Sequence, residues 1–303
     1  MTNKELIRKA DLALTELTSA GGVLNPEQEA AFFRKMIAQP TIMQDARIIF
    51  MSSPKREINK IGFGSRILRK GTSATALVQG DRAKPDLDRI TLDSKEVMAE
   101  VQIPYDVIED NIEREAMSDT VVTLMSERAA LDVEELIVQG DTALVGSDPY
   151  LGCLDGVLKQ ADVNVVNAGG ATITKTVFKN GLKAMPDEYM RIRSSMRHYV
   201  SIDNETQYRD TIADRQTAMG DSHLSGMSPV FAFGAPVIPV AMMPGANGLF
   251  LDPKNIIVGF HRRVQIETDK DIQKRIYIIV LTMRLDVILE EKAAVVKYTN
   301  IGS

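Results

Sequence analysis

The chain has 303 residues, 44% of them hydrophobic and 25% charged, with a formal net charge of −5, the balance of a soluble globular protein of one large or two ordinary domains. That charge argues against a general nucleic-acid binder, which is basic over its whole domain, and the single cysteine, Cys153, excludes an intrachain disulfide and a thiolate metal cluster. No apolar run is long enough to span a membrane, and Met1-Thr2-Asn3-Lys4-Glu5 lacks the apolar stretch of a signal peptide, so a cytoplasmic protein is expected, with Cys153 a buried small hydrophobe.

In chain order, Ile7, Ala10, Leu14 and Leu17 recur at helical spacing, and Pro26-Glu27 opens a second helix carrying Phe32, Phe33, Met36 and Ile37 after the break at Gly21-Gly22. Charge is then sorted. From Lys55 to Lys95 ten Lys or Arg face five acids, a net of +5, and from Pro104 to Asp141 eleven acids face two Arg, a net of −9. The basic stretch is poor in large apolar residues from Arg69 to Asp86, so it is expected to lie on something. Its acidic partner is either the neighbouring helix of the same chain or that of a second copy, and charge alone does not choose.

Gly62, Gly64, Gly71, Gly80 and Pro85 punctuate the region from Lys55 to Pro104, and Asp88 to Ile103 alternates in polarity. The pattern predicts one long hairpin with a mobile tip around Gly71 to Pro85, or else a disordered loop. Asp106 and Glu109 have capping-box spacing. From Asp119 to Gln139 the apolar residues Val122, Met125, Ala129, Val133 and Leu136 predict a helix roughly 32 Å long, ended by Gly140. Its acids Glu127, Asp132, Glu134 and Glu135 are left for the exposed face.

Farther on, Thr174 to Met185 reads as a helix stopped by Pro186, Arg197 to Ile202 as a strand, and Asp203 to Met219 as a helix capped by Asp203. Pro229 to Pro239 suits a buried strand pair at a sheet edge. From Tyr277 to Leu289 every odd position is apolar, a strand period sustained for about 43 Å when typical strands hold about five or six residues. A helix and a strand of such length imply an elongated platform.

Candidate chemistry is sparse. His198, His223 and His261 form no HxH or HExxH pattern and read as surface or turn residues. Asp269-Lys270-Asp271 could hold a divalent ion, but between strands Arg263 to Thr268 and Ile272 onward it reads better as a hairpin turn. Gly62-Phe63-Gly64 lacks the third glycine of a dinucleotide fingerprint. Arg191, Arg193, Arg197 and His198, with Tyr189 and Tyr199, could form a nucleic-acid patch, though a solvated helix end or subunit contact fits as well. No catalytic residue, cofactor site or metal site is expected.

The order of these elements resembles the major capsid proteins of tailed bacteriophages, with the Hong Kong 97-type fold. The resemblance rests on Gly21-Gly22-Val23-Leu24, Pro26-Glu27-Gln28 and Phe32-Phe33, the entry Met51 to Ile61, and Ile103-Pro104-Tyr105-Asp106 leading to the helix closed by Gly140-Asp141. It continues in Leu151-Gly152, Phe233-Gly234-Ala235-Pro236-Val237, Pro244, Asp252-Pro253-Lys254-Asn255 and Ala293-Ala294-Val295-Val296-Lys297. It implies an α+β fold divided into an N-terminal arm (1–51), an extended E-loop (52–103), a peripheral domain with the long spine helix (104–154), an axial domain (155–255), peripheral strands (256–292) and a C-terminal strand (293–303).

The implied function is a structural homo-oligomer forming pentamers and hexamers of an icosahedral virion shell around double-stranded DNA, without sequence-specific binding, and assembled in the bacterial cytoplasm. Implied partners are a portal and a separate scaffolding or decoration protein; no membrane is involved. Arg66, Arg69, Lys70, Arg82 and Lys84 of the E-loop would meet Glu127, Asp132, Glu134 and Glu135 of a neighbour's helix. An encapsulin-like compartment shell shares the fold, and a metal-dependent α+β hydrolase using Asp269 and Asp271 is the alternative of a different class.

Overall fold

A computed structural model describes residues 41–62, 66–71, 79–82, 84–106, 117–213, 229–261 and 264–302. The two N-terminal helices, Glu109 of the capping box and His223 lie outside the described residues.

The architecture is organised around one strand. Strand β12, which we number in chain order, spans Ile276–Leu289, 14 residues, and its burial alternates so that Ile279, Leu281, Met283, Leu285, Val287 and Leu289 all face inward. This is the period-2 row read from the sequence, one residue longer. Because the buried face is continuous, slipping the register by one residue would turn the whole row out to water.

Four strands assemble with it: β1 (Arg47–Met51), β4 (Lys95–Pro104), β10 (Ile256–His261) and β11 (Gln265–Asp271). β12 pairs antiparallel with β10 at its C-terminal end, with β11 at its N-terminal end, and with β4 from Ile276↔Pro104 to Leu285↔Lys95; β1 adds to β10 in parallel. Helix α2 (Met117–Gln139), the second described after α1 (Thr41–Asp45), is 23 residues long, roughly 35 Å. Its Ala130, Val133, Leu136 and Ile137 pack into the same core as the inward row of β12. The helix therefore covers one face of the sheet, while on the other face Leu92 and Ile58 of the β2–β3 segment pack on Ile257 and Ile288.

The stretch from Lys55 to Pro104 is not one hairpin. β2 (Lys55–Gly62) pairs with β3 (Asp86–Asp93) over eight residues, and the chain turns at Ser94, whose N–H and Oγ both bond to the Pro54 carbonyl at 3.0 and 2.9 Å. β4 then joins the platform. The alternation of Asp88 to Ile103 runs through that turn without a break, so the sequence carries no mark of the change of sheet. Leu92, fully buried against Met51 and Ile257, fixes the hairpin base.

The second sheet holds six strands in the order β5-β13-β9-β6-β8-β7, formed by β5 (Asn164–Asn167), β6 (Arg197–Val200), β7 (Phe231–Ala232), β8 (Ala235–Pro239), β9 (Gly248–Leu251) and β13 (Val295–Thr299). The strand pair at 229–239 lies at the sheet edge as expected, turning through Phe233 and Gly234 with φ of 50° and 89°. Helices α3 (Lys175–Ala184) and α4 (Ile202–Ala213) add Phe178 and Tyr208 to the core of this sheet. Ser201, not Asp203, caps α4: its Oγ accepts the Asn204 N–H at 3.2 Å, while Asp203 sits inside the first turn.

Histidines 198 and 261 are buried, not surface or turn residues. His198 stacks on Phe250 with ring centroids 4.3 Å apart and shares a 3.2 Å hydrogen bond with the Tyr298 hydroxyl. Its alternation with Arg197 on β6 places it in the aromatic core, and that burial pushes its pKa down to about 3. Cys153 is half-buried rather than buried, lying where the chain leaves the end of α2.

Candidate assembly surfaces

Arg66, Ile67, Leu68, Arg69 and Lys70 are all exposed, Leu68 at 79%, as are Arg82 and Lys84. They lie beyond the β2 and β3 ends farthest from the Leu92 anchor. The hairpin is fastened to the platform at its base, through Asp93, and again near its far end, where Lys60 lies opposite Asp88. Lys60 is ion-paired with Glu291, Arg47 bonds Glu290 at 2.9 Å, and the Asp93 N–H donates to Asp286 Oδ2 at 2.7 Å. Burial raises the Asp286 pKa despite that bond and one from Val287, whereas Lys95 beside Asp93 lowers the latter's. A cleft of about 600 Å³ lies at this junction, lined by Lys60, Asp93, Lys95, Cys153, Asp286 and Glu291 among others.

The acids of α2 do not share one face. Glu127 is exposed, Asp132 is paired with Arg128 at 2.8 Å, and Glu135 is half-buried. Glu134 is only 1% exposed and must be removed from the exposed face. It follows Val133 directly, and a helix stripe wide enough to meet both the sheet and α1 takes in both positions. Its Oε1 accepts the Ile42 N–H at 3.1 Å at the start of α1, where a negative charge also suits the helix dipole. Burial outweighs these amide bonds and raises its pKa. At the other end of α1, Asp45 accepts from the Tyr199 hydroxyl at 3.2 Å and is ion-paired with Arg197. Thus α1 is held by α2 at one end and by β6 at the other. Glu134→Ala, which strips α1 of its acceptor, is expected to cost about 1–2 kcal/mol, while Glu134→Gln, which keeps an acceptor, should cost less than half of that; urea melts of both variants check this.

The arginine cluster is dispersed by the fold. Arg197 serves Asp45, Arg193 reaches the Phe233 carbonyl at 3.5 Å, and Arg191 bonds the Glu188 carbonyl at 3.3 Å. Asp269 and Asp271 act locally: Asp269 accepts the Lys270 N–H at 2.7 Å, and Asp271 accepts those of Gln273 and Lys274 at 3.0 and 3.1 Å. The hairpin turn comes after Asp271, later than the sequence suggested, because β11 pairs on to Asp271↔Ile276. Among the described residues no group of three or more His, Cys, Asp or Glu could hold a metal ion, and no helix is long and apolar enough to cross a membrane.

One surface was missed. On the face of β12 turned away from α2 lie Ile276, Ile278 and Val280, with Glu100 and Glu267 flanking Val280, and Gln102 and Asp269 flanking Ile278. The signal was available as polar alternation in β4 and β11, but assigning those acids to one face requires the register of all three strands.

The profile of the phage capsid family matches residues 20–300. A prophage protein of Bacillus subtilis (strain 168) named for a capsid role, YqbE, is 43% identical over 313 residues, covering 99% of each chain. Among solved structures, a chain of the satellite phage P4 procapsid that includes the size determination (Sid) protein superposes with a TM-score of 0.69 at 14% identity, covering 99% of this chain and 98% of that one. A capsid chain of the native GTA particle gives 0.63 at 17%, covering 87% and 90%. The fold is that of the Hong Kong 97-type shell proteins, and a 14-residue strand backed by a 23-residue helix gives it the platform expected from the sequence. Matched along nearly its whole length by sequence and by fold, the chain belongs to the phage capsid family, structural proteins that self-assemble into the viral particle in the host cytoplasm.

Proposed function

We propose that the chain builds pentamers and hexamers of an icosahedral head enclosing double-stranded DNA, and that its basic hairpin segment crosses to the platform of an adjacent copy. The observation that carries this reading is the exposed sequence Arg66-Ile67-Leu68-Arg69-Lys70, held away from its own core on a hairpin whose base is fixed by Leu92. An apolar pair flanked by cations gains little in water and much on an acidic, partly apolar surface. Arg82 and Lys84 extend the same basic region, and Glu127, Asp132 and Glu135 are exposed or half-buried acids on the receiving platform. The net charge of −5 fits a wall that encloses DNA without gripping it. A portal at one vertex and a separate scaffolding or decoration protein complete this reading.

Assembly held partly by exposed charge pairs is screened over about 8–10 Å at physiological salt. Sedimentation of the purified chain from low to high NaCl should show the assembled fraction falling with salt. Arg66→Glu/Arg69→Glu/Lys70→Glu should lower it at low salt by roughly tenfold. A monomer at every salt concentration would contradict the proposed function, and unchanged assembly of the triple variant would contradict the role of this segment.

A further inference from the structure

The sequence before α1 predicts a helix from Pro26 to Ile37 whose apolar residues Phe32, Phe33, Met36 and Ile37 require a seat. At helical spacing these four share one broad stripe, with Arg34 and Lys35 bordering it on either side. Only Ala38, Gln39 and Pro40 separate that stretch from Thr41, where α1 begins. Fully extended, the four steps from Ile37 to Thr41 cover at most about 14 Å. Pro40 biases Gln39 away from helical geometry, so the two helices are distinct and the chain can fold back between them.

The start of α1 has a fixed address, because the Ile42 N–H donates to Glu134 Oε1 at 3.1 Å. Ile37 is therefore confined to the neighbourhood of Glu134 on α2 of its own subunit. An apolar row passes that point. Leu124, Leu131 and Val138 recur every seven residues, two helical turns, and so lie nearly in line along α2. Glu134, three residues after Leu131 and four before Val138, is on the same flank. Exposure falls along the row toward α1: Leu124 is 59% exposed, Leu131 half-buried and Val138 fully buried. Val121, Val122, Met125 and Ala129, by contrast, pack against the platform core. Leu124 and Leu131 thus prolong the flank on which α1 is held, beyond its first residue.

We propose that residues 26–37 lie along this flank of α2 in the same subunit, with Ile37 and Met36 beside Leu131, and Phe32 and Phe33 directed toward Leu124. The lengths agree: twelve helical residues rise about 18 Å, and α2 rises about 15 Å from Leu124 to Glu134. Arg34 and Lys35, bordering the stripe, keep their charges at the water-facing rim. Seated in this way, residues 1–25 leave the subunit near the N-terminal end of α2 and not at α1. A segment held by so few side chains opens locally without unfolding the subunit, so trimming Leu124 loosens it while leaving the global melt in place.

Cysteine pairing in the full chain tests this. In a Cys153→Ser background, Met36→Cys with Leu131→Cys, and Phe32→Cys with Leu124→Cys, should each oxidise to a disulfide within one chain, seen after denaturation as a monomer of raised mobility that reduction reverses. Met36→Cys with Glu100→Cys, on the far face of the sheet, should not. A disulfide-linked dimer from the first two pairs would place the segment on a second copy, and no linkage from either would leave it off the row; both results overturn the proposal. If the cysteine variants misfold, hydrogen exchange of the unaltered chain and of Leu124→Asp decides. The amides of residues 32–37 should be protected in the first and exchange at least about tenfold faster in the second, with those of β12 unchanged. Equal exchange of residues 32–37 in the two proteins would overturn the proposal.

Discussion

Leu136→Ala is expected to destabilise the fold by about 2–5 kcal/mol, the cost of removing a fully buried leucine from a core that cannot collapse around the cavity. In a chain of this size that corresponds to a fall in Tm of roughly 3–8 °C. The magnitude follows from where Leu136 sits: between α2 and the inward row of β12, in the layer that joins the longest helix to the longest strand. Leu124, on the same helix but 59% exposed, is the control. Leu124→Ala should change stability by less than about 0.5 kcal/mol. Calorimetry of the two variants separates a packed platform from a surface helix, and equal, small effects would mean that α2 does not cover the sheet.

Acid should weaken the six-stranded sheet through His198. Its folded pKa, about 3, lies below the value near 6.5 of an exposed histidine. Between those limits the unfolded chain binds a proton that the folded chain refuses, so the stabilisation is full above about pH 6.5 and is lost as pH falls toward 3. The slope approaches about 1.4 kcal/mol per pH unit, or about 2 kcal/mol between pH 6.5 and 5. Glu134 and Asp286 act in the opposite sense. Their raised folded pKa values mean that the native state takes up protons first, which offsets part of the loss on acidification. Burial pushes the pKa of the Tyr298 hydroxyl beside His198 up, so it stays neutral throughout this range. His198→Phe should flatten the pH dependence between 6.5 and 5 while lowering stability at pH 7 by about 1–3 kcal/mol, because the Tyr298 hydroxyl loses its partner. Denaturant unfolding at the two pH values measures both effects, and an unchanged acid slope in the variant would assign it to other groups.

Much of this fold is legible in the residues. The odd-numbered apolar row of β12, the periodic apolar positions of α2 and the Gly140 stop are one-dimensional patterns whose periods are set by backbone geometry. What was hidden depends on tertiary partners. Glu134 reads as a surface acid because its burial is created by α1, ninety-two positions earlier in the chain. His198 reads as part of a cationic cluster because strand alternation is seen only once β6 has neighbours on both sides. The division of one apparent hairpin at Ser94 escapes notice because a polar alternating stretch suits either sheet. The basic segment stands out as a run of charge in sequence, whereas Glu100, Glu267 and Asp269 come from strands more than a hundred and fifty residues apart and share one sheet face only through register.

The central claim is that this chain closes into a shell in which each hairpin lies on a neighbouring copy. Electron cryomicroscopy of the assembled particles tests it most directly. The account predicts closed icosahedral shells of pentamers and hexamers, with density for Arg66–Lys70 continuous from one subunit onto the platform of the next. Particles in which that segment folds back on its own subunit, or a preparation that yields only monomers, would contradict it.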